Sequence, residues 1–268
     1  MTPTALWTDA IRARKSVRTY NNAATLSERQ LYAIANAISE ANKASCGKFT
    51  CCWAPTNDDS DFRPSTYGTI KGAAGFIPVA FDINDSGAAL LVGQYIERLA
   101  LSLTQAGIGT CWIGGTFKAS SFSKTTDSPS KINIVIACGI AADKQRLRDR
   151  ITQTIFKCAS RKPFDSLFTQ PDNSPIQQQS AWRPLLEAMR LAPSAINAQP
   201  WRVVVDGNVA HIFGIIRNGL NFVDLGIGLE HIVLSAQEKN LTITNVSDAS
   251  FANIRKQYTY ICSIAIPI

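Results

Sequence analysis

The chain has only two histidines, His211 and His231, and they stand twenty positions apart. It also lacks the paired cysteine spacing, such as C-x2-C, that structural zinc requires. Its seven cysteines fall irregularly at 46, 51, 52, 111, 138, 158 and 262. No metal site is expected, and buried, reduced thiols are the reading that fits. No apolar run approaches the ~18–20 residues that cross a bilayer. The opening "MTPTALWTDAIRARKS" has no signal-peptide apolar segment. A soluble, cytoplasmic protein without a membrane partner is predicted. Long basic runs are missing too: none exceeds three residues, although the net charge is +7. With no nucleic-acid motif either, that charge suits an anionic small ligand better than nucleic acid. There is no G-x-G-x-x-G opening a helix, and no His–Asp or Cys–His constellation for nucleophilic or acid–base work.

What the chain does have is a repeat. In "SERQLYAIANAISEA" (27–41), Leu31, Ile34, Ala35 and Ile38 share one helix face, with Ser27 as N-cap. Trp182, Leu185, Leu186 and Met189 repeat that spacing at an offset of 151. Later in each half, Gly93, Glu97, Leu101 and Ser102 align with Gly226, Glu230, Leu234 and Ser235, offset by 133. Both of these segments read as long, buried helices. Strands are predicted at 76–81, at 132–137, in the hairpin "WRVVVDGNVAHIFGI" with an Asp206–Gly207 turn, and in the closing "YTYICSIAIPI". A polar segment, 118–131, reads as a surface loop. The chain divides into a first half, 1–167, a polar linker, 168–180, and a second half, 181–268.

Three stretches carry chemistry. In "RKSVRTY" (14–20), extended backbone puts Arg14, Ser16 and Arg18 on one face. Two guanidiniums and a hydroxyl so placed suit a phosphate, because Arg makes bidentate, charge-assisted bonds to it. In "GIGTCWIGG" (107–115), Gly107 is a helix C-cap candidate. The later glycines let backbone amides approach a flat ligand. In "LAPSAINAQPWR" (191–202), prolines end a helix. There a turn offers Pro193, Ser194 and Asn197 to a heterocycle or ribityl chain, and Trp201 anchors the next strand.

These residues together resemble the FMN-dependent nitroreductase family. Its R-x-S-x-R element stands as Arg14–Ser16–Arg18, its G-x-G-T-x-W-I-G-G element as Gly107 to Gly115, its A-P-S-x-x-N-x-Q-P-W element as Ala192 to Trp201, and its R-K-P segment as Arg161 to Pro163. The order departs from the usual one. The corner after the first helix, "NKASCGK" (42–48), lacks the A-P-S element, and the second half lacks R-x-S-x-R. The chain is similar to the branch in which two half-units are fused and one chain imitates the usual homodimer. That resemblance implies an α+β, nitroreductase-like fold. It has two pseudo-equivalent α/β half-units with antiparallel sheets and central long helices, and the resemblance implies that the two long helices pack against each other. It implies FMN bound by Arg14, Lys15, Ser16, Arg18, Ile113, Gly114, Gly115 and Arg161 from the first half. Pro193, Ser194, Ala195 and Asn197 contribute from the second half. It implies an NADH- or NADPH-driven reduction of nitroaromatics, quinones or a similar small acceptor, with no catalytic side chain required. Flavin storage or sensing, or other flavin chemistry such as dehalogenation, is the alternative. One chain should suffice to complete the site.

Overall fold

The computed structural model describes residues 6–56, 64–125, 128–143, 160–246 and 255–267. In chain order the first half gives α1 (Trp7–Ala13), α2 (Glu28–Ala44), β1 (Phe49–Cys51), β2 (Ala54–Pro55), β3 (Gly75–Phe81), α3 (Ser86–Gln105), β4 (Gly109–Ile113) and β5 (Ile132–Gly139). Then follow β6 (Phe168–Thr169), α4 (Trp182–Leu191), β7 (Trp201–Asp206), β8 (Val209–Gly214), α5 (Leu220–Glu238), β9 (Thr244–Val246) and β10 (Thr259–Ala265). The fold is α+β.

Each half builds one sheet, and the two sheets share a topology. The first runs β1-β3-β5-β4 and the second β7-β8-β10-β9. All of these pairings are antiparallel. In each, a long helix enters between the second and third strands of the half. β2 joins the edge of β3. β6 pairs in parallel with β7, so the segment between the halves adds a strand to the second sheet.

The long helices α3 and α5 meet where their glycines align. A Cβ on Gly93 would stand 2.8 Å from the Gly226 Cα, and a Cβ on Gly226 would stand 2.9 Å from the Gly93 Cα. Only glycine permits so close an approach. The helices also end alike. Ile108 N–H bonds Leu103 O and Gly107 N–H bonds Thr104 O, while Leu241 N–H bonds Ala236 O and Asn240 N–H bonds Gln237 O. Gly107 and Asn240 take positive φ, 75° and 56°. This is the Schellman closure at both ends, again 133 positions apart. One hydrophobic core joins both halves. It runs from Ile34 on α2 through Ile77, Ile96 and Ile136 to Leu186, Val203, Ile212 and Ile232.

Several sequence expectations shift in detail. Ser27 does cap α2, in a full capping box with Gln30. The face that α2 buries, however, is Ile34, Ala37 and Ala41. Leu31 is 44% exposed and Ala35 lies outward, because only one narrow stripe of α2 meets α3 and β1. The β7–β8 loop is Gly207–Asn208, one residue later than expected, since Asp206 pairs with Val209. The 118–131 stretch is not merely a surface loop. Its Phe122 is fully buried and packs edge-on against Phe76 and Phe117. The 168–180 segment is not merely a linker. It contains β6, and Phe168 and Ile176 are buried in the core. Of the thiols, Cys51, Cys111 and Cys138 are buried, Cys52 and Cys262 are half-buried and Cys46 is exposed; Cys158 lies outside the described residues. Among the described residues no helix is long and apolar enough to cross a membrane.

Candidate functional site

Helix α1 stops at Arg14, whose ψ of 126° turns the chain extended. The strand-like segment that follows is stitched to β4, with Val17 N–H on Thr110 O at 2.9 Å. It is also stitched to Lys71, whose N–H bonds Arg18 O at 2.9 Å. Burial of Val17 against Cys111 and Ile113 fixes its face, and pleating sends Ser16 and Arg18 to the other. Lys15 is exposed. The Arg14 side chain is only 6% exposed, with Nε 3.7 Å from Glu97 Oε1. The Nη1 atoms of both Arg14 and Arg18 are buried and have no hydrogen-bond partner.

Glu97 explains why Arg14 lies where it does. Fully buried on α3, this carboxylate accepts Trp112 Nε1 at 2.8 Å from β4 and faces His231 Nε2 at 3.0 Å from α5. His231 Nδ1 donates to Ala188 O on α4 at 2.9 Å. A buried acid keeps its place only when paired, and these partners come from both halves. Across the helix crossing the arrangement recurs. Glu230 on α5 takes Arg98 Nε from α3 at 2.5 Å. Residue 97 meets 231 and residue 230 meets 98, so the two contacts exchange under the 133-residue offset.

Beyond β4 the chain leaves the sheet. Ile113 is buried, while Gly114 and Gly115 are exposed. A Cβ on Gly114 would lie 3.6 Å from Leu220 Cδ1 at the start of α5. One turn further along α5, Asp224 Oδ1 accepts the Ala195 N–H at 2.9 Å. The first turns of α5 therefore touch both the glycine segment of the first half and the proline-rich corner of the second.

That corner is tightly determined. Ser194 Oγ accepts Gln199 N–H at 2.9 Å, and Asn197 N–H bonds Ser194 O at 3.0 Å. Ile196, Asn197 and Gln199 have φ of 48°, 57° and 47°. Left-handed backbone is costly for such residues, above all for a β-branched one. Such strain persists where surrounding contacts over-determine it. Trp201 is fully buried at the start of β7 and anchors the corner's far end.

Two expected contacts turn inward. Arg161, a phosphate candidate from the sequence, is engaged within the chain. Its Nη2 bonds Leu191 O at 3.0 Å, at the carbonyl end of α4, and its Nη1 bonds Asn197 Oδ1 at 3.3 Å. Asn197 Nδ2 in turn bonds Ser160 O at 2.9 Å. Both side chains hold the corner closed: Arg161 sets its cation at the last carbonyls of α4, where positive charge is favoured, and Asn197 ties the corner to Ser160 O. Pro193, Ser194 and Ala195 remain half-buried or exposed. Sequence reasoning missed Lys162, Gln199 and Asp224. Lys162 Nζ bonds Ala198 O at 2.7 Å, and Gln199 Oε1 accepts Lys162 N–H at 2.8 Å. Asp224 carries a legible signal, as a single acid in the otherwise apolar run "FVDLGIG". Among the described residues no cluster of His, Cys, Asp and Glu could hold a metal ion.

The sequence matches a profile of the family described as "Putative TM nitroreductase" over residues 7–236. No curated protein matches it in sequence. Among solved structures it is similar to one described as "a putative nitroreductase" from Thermotoga maritima, at 21% identity and TM-score 0.61, covering 98% of this chain and 93% of that one. A nitroreductase with bound FMN from Desulfitobacterium hafniense aligns at 22% identity and TM-score 0.40, over 53% of this chain and 93% of that one. A nitroreductase with bound FMN from Bacteroides fragilis aligns at 21% and 0.36, over 54% and 92%. The first of these comparisons shows the nitroreductase fold, and with the profile spanning most of its length the chain belongs to the TM nitroreductase family.

Proposed function

We propose that this chain is an FMN-dependent oxidoreductase that takes electrons from NADH or NADPH and passes them to a nitroaromatic, a quinone or a similar small acceptor. The observation that carries the reading is the pair of buried, partnerless Nη1 atoms on Arg14 and Arg18. A buried guanidinium donor without an acceptor costs free energy, and an anionic group restores it. Flavin phosphate, or the negative edge of a reduced flavin ring, is such a group. Bound flavin would supply the hydride chemistry itself. The chain's own task is to bind, orient and shield it. Arg14, Ser16 and Arg18 would hold it from one side and the Pro193–Ala195 turn from the other. The backbone amides of Gly114 and Gly115, exposed and unencumbered by side chains, would face the ring.

The same reading makes the chain a fused pseudo-dimer with one flavin. Reciprocal contacts such as 97–231 and 230–98 are what an isologous interface produces. The matching sheet orders and the Gly93–Gly226 crossing support it too. The mirror position lacks both the arginines and the long corner, so one site per chain follows.

The test is a spectrum. Purified protein should bind FMN at one per chain, lose its flavin absorbance with NADH or NADPH, and recover it with an acceptor. Bound flavin that no nicotinamide reduces would favour storage or sensing. Two flavins per chain, or flavin held only by a dimer of chains, would overturn the fused-site reading.

A further inference from the structure

The corner beginning at Pro193 rests on a buried acid that the proposed chemistry does not use. Asp224 is 4% exposed. Its Oδ1 accepts the Ala195 N–H, and the Asn221 side chain also bonds it. Its Oδ2 is buried with no hydrogen-bond partner. An unmet carboxylate oxygen in the interior is costly, and burial pushes the group's pKa up to about 6. The equivalent position on α3, 133 residues earlier, is Leu91. The acid is therefore no requirement of the helix crossing. It stands only where the helix underlies the long corner. A cost present at one of two matched positions points to a task there.

We propose that Asp224 is the positioning residue of the corner: its carboxyl fixes the Ala195 peptide, and gain or loss of one proton there loosens or tightens the corner's hold on its ligand. The link to the corner stands on geometry alone; the identity of the ligand rests on the flavin reading. Ionised, the carboxylate is the stronger acceptor for the Ala195 N–H. Protonated, it accepts more weakly and must place a hydroxyl of its own. Ile196 and Asn197, both left-handed, follow directly and depend on that anchor.

The charged neighbours are engaged elsewhere. Arg161 bonds Leu191 O and Asn197, and Lys162 bonds Ala198 O. On α4, Glu187 pairs with Arg190. On α3, Arg98 pairs with Glu230, while Glu97 meets His231 and Arg14. His211 on β8 bonds Ser263. Arg202 reaches the carbonyls of Gln199 and Trp201.

The test uses the full chain, isotope-labelled, as wild type, Asp224→Asn and Asp224→Leu. The Ala195 amide resonance of the wild type should titrate near pH 6, with and without added FMN, and should stay flat in Asp224→Asn. FMN affinity, read by quenching of flavin fluorescence, should fall roughly three- to tenfold between about pH 7.5 and about pH 5 in the wild type. In Asp224→Asn it should hardly change, and Asp224→Leu should bind weakly at every pH while remaining folded. An Ala195 amide that does not titrate overturns the proposal. So does an unchanged pH profile of affinity in Asp224→Asn. If no FMN binds at any pH, the flavin reading falls and takes the ligand control with it, while the amide titration still upholds or overturns the link between Asp224 and the corner.

Discussion

The chain turns from helix to sheet twice in matching places, and the two corners differ sharply. After α2, residues 45–48 suffice to reach β1. Ser45 Oγ accepts the Gly47 N–H, and Cys46 and Gly47 take positive φ. After α4 the path to β7 runs through residues 192–200. It is held by Asp224, Arg161, Lys162 and Gln199, and it carries three left-handed residues without glycine. The first corner is a short, tight connection with one non-glycine left-handed residue, Cys46. The second is longer, strained and heavily supported. On the proposed flavin reading the second corner is the one that would hold a ligand, and strain kept in place by so many contacts fits that role. Under the proposed pseudo-dimer the difference has a cause: once both copies lie in one chain, each is free to lose whatever its single site does not need.

The comparison is broken most forcefully at the helix crossing. Gly93 and Gly226 are equivalent if the halves are, and each leaves no room for a Cβ. Overpacking here should cost about 3 kcal/mol or more for a valine. Gly93→Val and Gly226→Val should therefore lower the urea midpoint by similar amounts. A large loss in one and none in the other would mean that the halves do not share this contact as equals.

Next in size is Asp224, the acid that Leu91 replaces in the other half. Its pKa is raised by burial from 3.8 to about 6. A raised acid favours folding only while protonated. That contribution is complete below about pH 4 and is lost as pH rises through about 6. Asp224→Asn keeps an oxygen for Ala195 and removes the titration. It should leave stability nearly unchanged at about pH 4 and raise it by up to about 3 kcal/mol at about pH 8. Thermal unfolding at the two pH values is the measurement, and equal shifts at both would contradict the assignment.

The arginines sharpen the contrast between halves, since the second half has no such motif. Arg14→Ala and Arg18→Ala should each weaken FMN binding by about 1.5–3 kcal/mol, ten- to a hundredfold. Arg14→Ala should also destabilise the chain, because it removes a partner from the buried Glu97. Arg18→Ala should not. Flavin titration together with unfolding separates the two, and undiminished affinity in both variants would remove them from the site.

Much of the fold was legible because its signals are local. Ser27 with Gln30, Gly107 after α3 and the alternation of β7 and β8 are rules that act within a few residues. The pairing of α3 with α5 was legible only through the family resemblance; that Gly93 and Gly226, aligned by the offset of 133, meet at a close crossing is visible in the structure alone. What stayed hidden was long-range. Nothing near Glu97 in sequence announces His231, and nothing in "RKP" says that Arg161 turns back to cap α4. Phe168 looked like part of a linker because its partner strand β7 begins more than thirty residues later. The site motifs could not say which side chains face outward and which hold a segment shut.

The smallest effect lies in the corners' backbone, where left-handed φ falls on Cys46 and Gly47 in the first corner and on Ile196, Asn197 and Gln199 in the second. Gly47 sits at φ 79°, with open space where a Cβ would be, whereas Ile196 sits at φ 48° and is 69% exposed. Burial does not hold Ile196 in place, so its strain is uncompensated by packing. Ile196→Gly should therefore stabilise the chain by about 0.5–1 kcal/mol, the left-handed penalty less the added freedom of the unfolded chain. Gly47→Ala, with no clash to suffer, should cost about 1 kcal/mol from φ alone. Opposite signs of similar size in chemical denaturation would show the two corners to be equally rigid. If Ile196→Gly changes nothing, the long corner relaxes freely around residue 196, and its support from Asp224 and Arg161 is weaker than the contacts imply.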